Sequence, residues 1–268
     1  MPIKRIITAL ILVSIYVPLM LFVPAKYIII FYGAVVIIAS IEWFRLCKFN
    51  SLLSNLFFIT IILISAFSMS ILSDAHDKFY LLFFISFLWL CLSVFLTLIK
   101  KIEVFHQKNY FFMLMGVIIM SFFYFATLEL LNMTEEDRVF FIYVMAIVWF
   151  ADSGAYIGGK LLGSHKMSPV ISPNKTIEGA ISAMLFVLLY ATVASFFIKS
   201  DNQINFIIVS MISAFVSIYG DLLASLIKRK SRADDTGSIF PGHGGMLDRL
   251  DSTIASVVIF MFLYQWIL

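Results

Sequence analysis

The sequence has few charged residues, and this scarcity excludes ordinary soluble folds. Charged residues make up 13% of the 268 residues, whereas hydrophobic residues make up 62%. Soluble domains contain roughly 25% charged residues. Runs of about 20 apolar residues recur along the chain, and each is long enough to cross the bilayer core as a helix. The composition therefore predicts an all-α, polytopic integral membrane protein.

Three further absences narrow the class of protein. The apolar runs lack the alternation of a transmembrane β-barrel. The net charge is only +3 and no basic–aromatic array is present, so nucleic acid is not an expected partner. The two cysteines, Cys47 and Cys91, lie in or beside apolar runs without metal-ligand spacing. We expect packing roles for both and no structural disulfide.

The apolar runs predict about nine transmembrane helices. The basic start of the chain resembles that of a signal peptide, but its apolar stretch exceeds the usual h-region of about 7–15 residues, which favours an uncleaved first span. The predicted spans are about 6–24, 27–43, 52–73, 79–99, 110–131, 138–152, 178–198, 204–226 and 252–268.

The distribution of Lys and Arg predicts a cytoplasmic N-terminus and a C-terminus on the outside. With this orientation the outer segments hold only Lys26, Lys78, Arg138 and Lys199. The cytoplasmic segments hold Lys4, Arg5, Arg45, Lys48, Lys100, Lys101, Lys108, Lys160, Lys166, Lys175, Lys228, Arg229, Lys230, Arg232 and Arg249.

Polar residues are concentrated in the C-terminal half of the chain. Residues 1–150 read as spans joined by short loops, whereas residues 151–268 contain two long predicted cytoplasmic loops, 152–177 and 227–251. No internal repeat or interdomain linker is evident. We predict a single membrane domain, 1–268, with its chemistry in the C-terminal half.

The first polar cluster is ADSGAYIGGKLLGSHKMSPVISPNKTIEG, residues 151–179. Asp152 ends the sixth predicted span. The stretch GAYIGGKL nearly matches a P-loop, but Leu161 replaces the hydroxyl residue that would hold magnesium, and no strand is expected in a membrane bundle. We therefore reject a P-loop here.

The end of this cluster predicts a helix that begins near Glu178. Pro173 breaks regular structure, and three residues suited to N-capping flank it: Ser172, Asn174 and Thr176. A helix N-terminus attracts anions, and Lys175 adds a full positive charge. An anion site and a plain capping turn both fit this pattern.

The second cluster is YGDLLASLIKRKSRADD, residues 219–235. Helical spacing places Asp221, Ser225 and Lys228 on one face, with Arg229 beside them. An ordinary positive anchor at the membrane interface is the simpler interpretation of the basic residues. A carboxylate inside a span is more often functional, although a simple ion pair with one of these cations also fits Asp221.

The third cluster is GSIFPGHGGMLDRLDS, residues 237–252. Its proline and glycines predict a bent loop whose backbone can approach a ligand closely. Asp248 and Asp251, at i and i+3, share one face of the helix that follows. They fit metal ligation, but acidic residues in a first turn also complement the helix dipole. His243 fits either a loop hydrogen bond or a catalytic role.

Together the three clusters supply both the metal-binding and the phosphate-binding groups that phosphoryl or nucleotidyl transfer needs. We expect them on the same membrane face. Carboxylates suit Mg²⁺, and Lys, Arg and glycine-rich backbone suit phosphates. Phosphoryl or nucleotidyl transfer at a lipid interface needs both.

The segment SLIKRKSRADDTGSIFPGHGGMLDRLDS, residues 225–252, resembles the signature of phosphatidate cytidylyltransferase, or CDP-diacylglycerol synthase. The upstream 152–179 block is similar to the family's first cytoplasmic block. Three positions depart from the family pattern: Asp234 replaces a common Lys, Ile177 a frequent aromatic and Asn174 a usual Gly. The matching residues are Ser225, Lys228, Arg229, Asp235, Pro241, His243, Gly244, Gly245, Asp248, Arg249 and Asp251.

The resemblance implies that CTP and phosphatidate react to give CDP-diacylglycerol and pyrophosphate, with Mg²⁺ or another divalent cation such as Mn²⁺. It also implies a homodimer in a bacterial plasma membrane, with the site facing the cytoplasm. Asp221 and Asp248 are the expected metal ligands. The expected catalytic residues are Asp221, Lys228, Arg229, His243, Asp248 and Asp251. The expected substrate-binding residues are Asp152, Lys166, Ser172, Pro173, Asn174, Lys175, Thr176, Ser225, Gly244, Gly245 and Arg249.

Two alternative functions stay open at this stage. One is a CTP-using membrane enzyme acting on another lipid, such as a polyprenol kinase or a CDP-archaeol synthase. The other is an ion-coupled transporter, which would need polar residues at mid-depth in several spans. The polar clusters lie on one predicted face, which favours the enzymes.

Overall fold

The chain folds into a bundle of long helices with one short hairpin. The computed structural model describes residues 14, 16–72, 75–104, 106–132, 138–198, 202–240 and 244–267. Residues 16–22 are helical. The elements that follow are α1 (Ala25–Leu46), α2 (Leu52–Ile71), α3 (Ala75–Leu98), α4 (Tyr110–Asn132), α5 (Arg138–Leu162), β1 (Lys166–Ser168), β2 (Ser172–Thr176), α6 (Ile177–Ser195), α7 (Gln203–Ser231) and α8 (Leu247–Ile267).

The described residues include eight helices that are long and apolar enough to cross a membrane, α1 to α8. Large apolar side chains also cover the outer faces of the bundle; Phe57 and Phe67 on α2 are each 62% exposed. Apolar surface of this extent fits lipid and not water. The prediction of an all-α polytopic membrane protein is confirmed. Cys47 and Cys91 are both free, as expected.

Helix α8 lies at the centre of the bundle. It packs most extensively against α7 and also contacts α1, α3, α4 and α5, while α5 packs closely on α6. Residues 252–261 of α8 are buried without interruption. The C-terminal ends of α1, α5 and α7 therefore lie at the same end of the bundle as the N-terminal ends of α4, α6 and α8. This shared end carries the polar clusters.

Several helices are longer than the apolar runs that predicted them. Helix α5 continues ten residues beyond the predicted end at Asp152, α7 ends at Ser231 instead of 226, and α8 begins at Leu247 instead of 252. A polar residue ends an apolar run, but backbone hydrogen bonding carries the helix on into the membrane interface. The predicted loops 152–177 and 227–251 shrink to 163–176 and 232–246. Of the first predicted span, residues 6–13 and 15 lie outside the described residues.

The first loop contains a two-stranded antiparallel hairpin, which the sequence analysis did not expect. Lys166 is in register with Thr176, and Ser168 is in register with Ser172. The Thr176 hydroxyl then accepts a hydrogen bond from the Gly179 N–H at 3.1 Å and caps α6. The prediction of a helix start near Glu178 is confirmed. The hairpin thus holds Lys175 rigidly one residue before the cap.

Small residues let α5 and α6 approach closely. A Cβ atom at Gly158 would overlap the Ser182 side chain, and one at Gly154 would lie 2.8 Å from the Ser182 carbonyl oxygen. Gly154 and Gly158 form the small-xxx-small spacing that favours close helix packing in membranes. This contact fixes Asp152 on α5 relative to the N-terminus of α6.

We predict that Gly158→Ala lowers stability by about 1–3 kcal/mol, because the new methyl group overpacks the α5–α6 contact. Ser182→Gly removes the atoms that the methyl group would meet. The double variant Gly158→Ala/Ser182→Gly should therefore unfold at a higher temperature than Gly158→Ala alone. Thermal unfolding of detergent-solubilised protein measures both, with Ser182→Gly as the control. Equal losses in Gly158→Ala and the double variant would contradict the proposed contact.

Candidate active site

A partly buried ion pair joins the hairpin to α7. The Lys175 Nζ atom lies 2.8 Å from Asp221 Oδ2 and also donates to the Ile218 carbonyl oxygen at 3.1 Å. The side chains of Lys175 and Asp221 are 23% and 32% exposed, so water reaches both. Ser225, one turn later, donates to Asp221 Oδ1 at 3.2 Å. The predicted alignment of Asp221 and Ser225 on one helix face is correct, but the cation that pairs with Asp221 comes from the hairpin and not from α7.

Two more carboxylates lie beside this ion pair. Asp152 from α5 and Asp251 from α8 interact electrostatically with Asp221, with each other and with Lys175. A close approach of α7 to α8 brings Asp251 there, because a Cβ atom at Gly220 would overlap the Asp251 carbonyl oxygen. Three carboxylates from three helices therefore lie near one lysine, which directly contacts Asp221. We name Asp152, Lys175, Asp221 and Asp251 the carboxylate cluster.

A cavity of about 330 Å³ opens beside the carboxylate cluster. The N-terminus of α6 forms one wall, and α5, α7 and the hairpin form the others. Its polar lining comes from Asp152, Tyr156, Ser172, Asn174, Lys175, Thr176, Asp221 and Ser252. The cavity thus brings negative, positive and hydroxyl groups to one space next to a helix N-terminus, whose partial charge favours anions.

A second group of polar residues lies further along α7. Lys228 Nζ contacts Asp248 Oδ1 at 2.7 Å, and both side chains are largely buried. Asp248 Oδ2 accepts hydrogen bonds from the Thr236 N–H at 2.9 Å and the Gly245 N–H at 3.0 Å. It also lies 2.9 Å from the Thr236 hydroxyl, whose single proton is shared with a second carboxylate, that of Glu42. Both oxygens of Asp248 therefore have protein donors. We name Lys228, Thr236, Gly245 and Asp248 the loop cluster.

A smaller cavity of about 70 Å³ lies on the same side of α7. Its lining includes two serines and two cations, Ser172, Ser225, Lys228 and Arg229, together with Asp234. Arg229 and Asp234 are exposed. Asp234, the position where a Lys is common in the resembling family, thus places a negative charge beside two cations.

The remaining sequence-predicted residues fall around these two clusters. Lys166, Pro173 and Asn174 are exposed on the hairpin, and Arg249 is exposed at the start of α8, where it interacts electrostatically with Asp152. Gly244 adopts φ +81°, and its α-carbon faces Asp248. The sequence predicted that the glycine backbone would approach a ligand closely. In the structure Gly244 lies close to the Asp248 carboxylate and Gly245 close to the Glu42 carboxylate. His243, Pro241 and Gly242 lie outside the described residues.

The sequence analysis missed Thr236, a member of the loop cluster, and Glu42, which contacts that cluster. Thr236 links two carboxylates through its hydroxyl group, and Glu42 on α1 is one of these carboxylates. Glu42 and Glu129 are the acidic residues inside the first five predicted spans. A carboxylate inside an apolar run is itself a signal of function. Thr236 carries no comparable signal in the sequence.

The carboxylate cluster fits a divalent cation better than the loop cluster does. Asp152, Asp221 and Asp251 supply oxygen ligands of the kind that Mg²⁺ prefers, and they exceed the positive charge in direct contact with them. Asp248 already accepts four hydrogen bonds or ion contacts. Among the described residues, no three His, Cys, Asp or Glu side chains are arranged so that together they could hold a metal ion. A bound ion would therefore keep water or substrate ligands.

Comparison with known proteins places the chain in a family. Three relatives are named phosphatidate cytidylyltransferase. That from Bacillus subtilis is 37% identical over 166 residues, 61% of this chain and 60% of the relative. That from Staphylococcus haemolyticus is 45% identical over 123 residues (44% and 46%), and that from Haemophilus influenzae is 39% identical over 132 residues (47% and 46%). The chain spans about half the length of the curated relatives it matches. The profile of the cytidylyltransferase family matches residues 3–267, and the chain therefore belongs to that family.

Proposed function

We propose that the protein transfers the cytidylyl group of CTP to phosphatidate, giving CDP-diacylglycerol and pyrophosphate. The observation that carries the proposal is the contact between Lys175 and Asp221 beside a cavity at the N-terminus of α6. It joins a phosphate-binding cation to a group of carboxylates. Family membership and the names of the relatives support the same reaction.

The proposed reaction is an in-line displacement. A phosphatidate oxygen forms a bond to the α-phosphorus of CTP, while the bond from that phosphorus to the bridging oxygen breaks and its electron pair leaves with pyrophosphate. A phosphate monoester has its second pKa near 6, so the attacking oxygen is largely ionised at neutral pH. The protein therefore needs no strong general base. Its main task is to hold two anions together.

Lys175 and the N-terminus of α6 are suited to the triphosphate. The Lys175 ammonium faces the cavity while it contacts Asp221, and the helix adds partial positive charge at the same wall. Lys228 and Arg229 border the smaller cavity and are suited to the lipid phosphate or the departing pyrophosphate. The two cavities share Ser172, so the two substrates would meet across the hairpin.

A divalent cation fits the carboxylate cluster. We place it on Asp221, where Asp152 and Asp251 add negative charge nearby. We assign Asp248 to loop stabilisation in preference to the metal role that the family signature led us to expect. When bound, the ion would neutralise the charge that develops on the leaving pyrophosphate. Lys175 would balance the remaining carboxylate charge.

The location at a membrane interface has a chemical reason. Phosphatidate keeps its acyl chains in lipid while its phosphate lies at the surface, so the protein does not need to extract it. The bias of Lys and Arg supports a cytoplasmic location for this end of the bundle, where CTP is available, and the bacterial relatives support a bacterial plasma membrane. A homodimer remains a proposal that follows from the family resemblance alone.

We predict that detergent-solubilised protein supplied with CTP labelled at the α-phosphate transfers the label to phosphatidate. Lys175→Gln should lower the rate by about a hundredfold, because it removes a cation that binds the triphosphate. Lys26→Gln, a lysine at the opposite end of the bundle, is the matched control and should retain the wild-type rate.

The same assay separates the alternatives. Transfer of label from the γ-phosphate would indicate a lipid kinase, and transfer to an archaeal-type ether lipid phosphate in preference to phosphatidate would indicate a CDP-archaeol synthase. The absence of any labelled lipid, with folded protein and a full acceptor panel, would contradict the proposed function.

We predict that chelation with EDTA abolishes turnover and that Mg²⁺ restores it. Asp221→Asn should raise the Mg²⁺ concentration for half-maximal rate by about tenfold or more, because it removes a ligand. Asp248→Asn should lower kcat and thermal stability with little change in that concentration. Binding of Mn²⁺, measured as the loss of the EPR signal of the free ion, gives a readout that does not depend on turnover.

Asp77→Asn, an acidic residue at the opposite end of the bundle, serves as the matched control for both substitutions. An unchanged Mg²⁺ requirement and unchanged Mn²⁺ binding in Asp221→Asn would remove the metal assignment from the carboxylate cluster. A shifted requirement in Asp248→Asn alone would restore the assignment from the family signature.

A further inference from the structure

Glu42 is a buried carboxylate on α1, far in sequence from the candidate active site. It is 3% exposed. Its Oε1 atom accepts the Met246 N–H at 3.1 Å, and its Oε2 atom accepts the Leu247 N–H at 2.8 Å and the Thr236 hydroxyl at 3.0 Å. One side chain from the N-terminal half therefore binds both ends of segment 236–247.

The backbone of this segment is fitted around the carboxylate. A Cβ atom at Gly237 or Gly245 would overlap the Glu42 side chain. Leu247 is the first residue of α8, and the first amides of a helix have no acceptor within that helix. Glu42 supplies such an acceptor and a negative charge at the positive end of the helix dipole.

Thr236 connects Glu42 with the loop cluster. Its hydroxyl oxygen lies 3.0 Å from Glu42 Oε2 and 2.9 Å from Asp248 Oδ2, and its N–H donates to the same Asp248 oxygen. Asp248 in turn contacts Lys228. The order of contacts is therefore Glu42, Thr236, Asp248 and Lys228, and it ends at a cation that lines the smaller cavity.

We infer that Glu42 is a positioning residue for the active site: it holds segment 236–247 so that Asp248 fixes the Lys228 ammonium at the smaller cavity. The inference rests on the proposed function for the role of Lys228, but the contacts that hold the segment do not depend on the substrate. Among the described residues, Glu42 forms no ion pair with a cation that lines either cavity. It acts through the loop.

The test compares Glu42→Ala and Glu42→Gln with Glu129→Gln. Glu42→Gln keeps the size of the side chain but replaces one accepting oxygen with an amide nitrogen, so it tests the hydrogen bonds even if Glu42→Ala folds poorly. Glu129, in the same N-terminal half, pairs with Lys78 at 2.7 Å and is 11% exposed, which makes Glu129→Gln a matched loss of a largely buried carboxylate.

Two measurements are made on each purified variant. Hydrogen–deuterium exchange of peptides covering 232–250 should be about tenfold faster in Glu42→Gln, with exchange of α4, α5 and α6 unchanged, because only the local opening of the segment becomes easier. The kcat for labelled CDP-lipid should fall by about tenfold or more while the KM for CTP changes little, because Lys175 and α6 are untouched. Glu129→Gln should alter neither.

Each other outcome overturns the inference in a distinct way. Unchanged exchange at 232–250 means that Glu42 does not hold the segment. Faster exchange of all helices together means that Glu42 only stabilises the fold. Faster exchange at 232–250 with an unchanged kcat means that the segment does not position Lys228. If the wild-type protein makes no CDP-lipid, the proposed function fails, while the exchange data still decide whether Glu42 holds the loop.

Discussion

Charge compensation at the edge of the hydrocarbon layer is the constraint on which this structure depends. Three carboxylates, Asp152, Asp221 and Asp251, come together between helices, and such a group is costly unless cations, water or a ligand balance it. Lys175 supplies the contact at 2.8 Å. The hairpin register, the Thr176 cap and the glycine contacts of α5 with α6 all serve to place that one ammonium group.

The carboxylates divide into two kinds by what they contact. Asp248 and Glu42 accept hydrogen bonds from backbone amides and from Thr236, so their charge is used to hold the protein's own loop. Asp221 has one lysine and one hydroxyl, and it faces a cavity. Charge that the fold does not use is available for a ligand. This difference in contacts is the basis on which we propose Asp221 over Asp248 as the metal ligand; the expectation from the family signature, which names both, stays a prediction.

Sequence patterns predicted the helices and the pairing of Asp221 with Ser225 on one face, because both follow from local periodicity. They did not predict that Asp248 and Asp251, on the same face of α8, belong to different clusters; that depends on how α7 and the 232–246 loop pack against α8. The β-hairpin was missed because five residues with one proline carry no clear strand pattern. Thr236 was missed because its importance arises from two partners that are distant in sequence.

The N-terminal half is part of the candidate active site in a structural sense. Helix α1 and the turn that follows it contact both ends of the loop that precedes α8. Lys48, two residues beyond the end of α1, donates to the Ser231 carbonyl oxygen at 3.0 Å, and Glu42 on α1 accepts from Leu247. A helix that only anchored the protein in lipid would gain nothing from a buried carboxylate, which costs free energy unless it is hydrogen-bonded. The family profile covers residues 3–267 and not the C-terminal half alone. The contacts of α1 with segment 236–247 offer a physical reason for that extent.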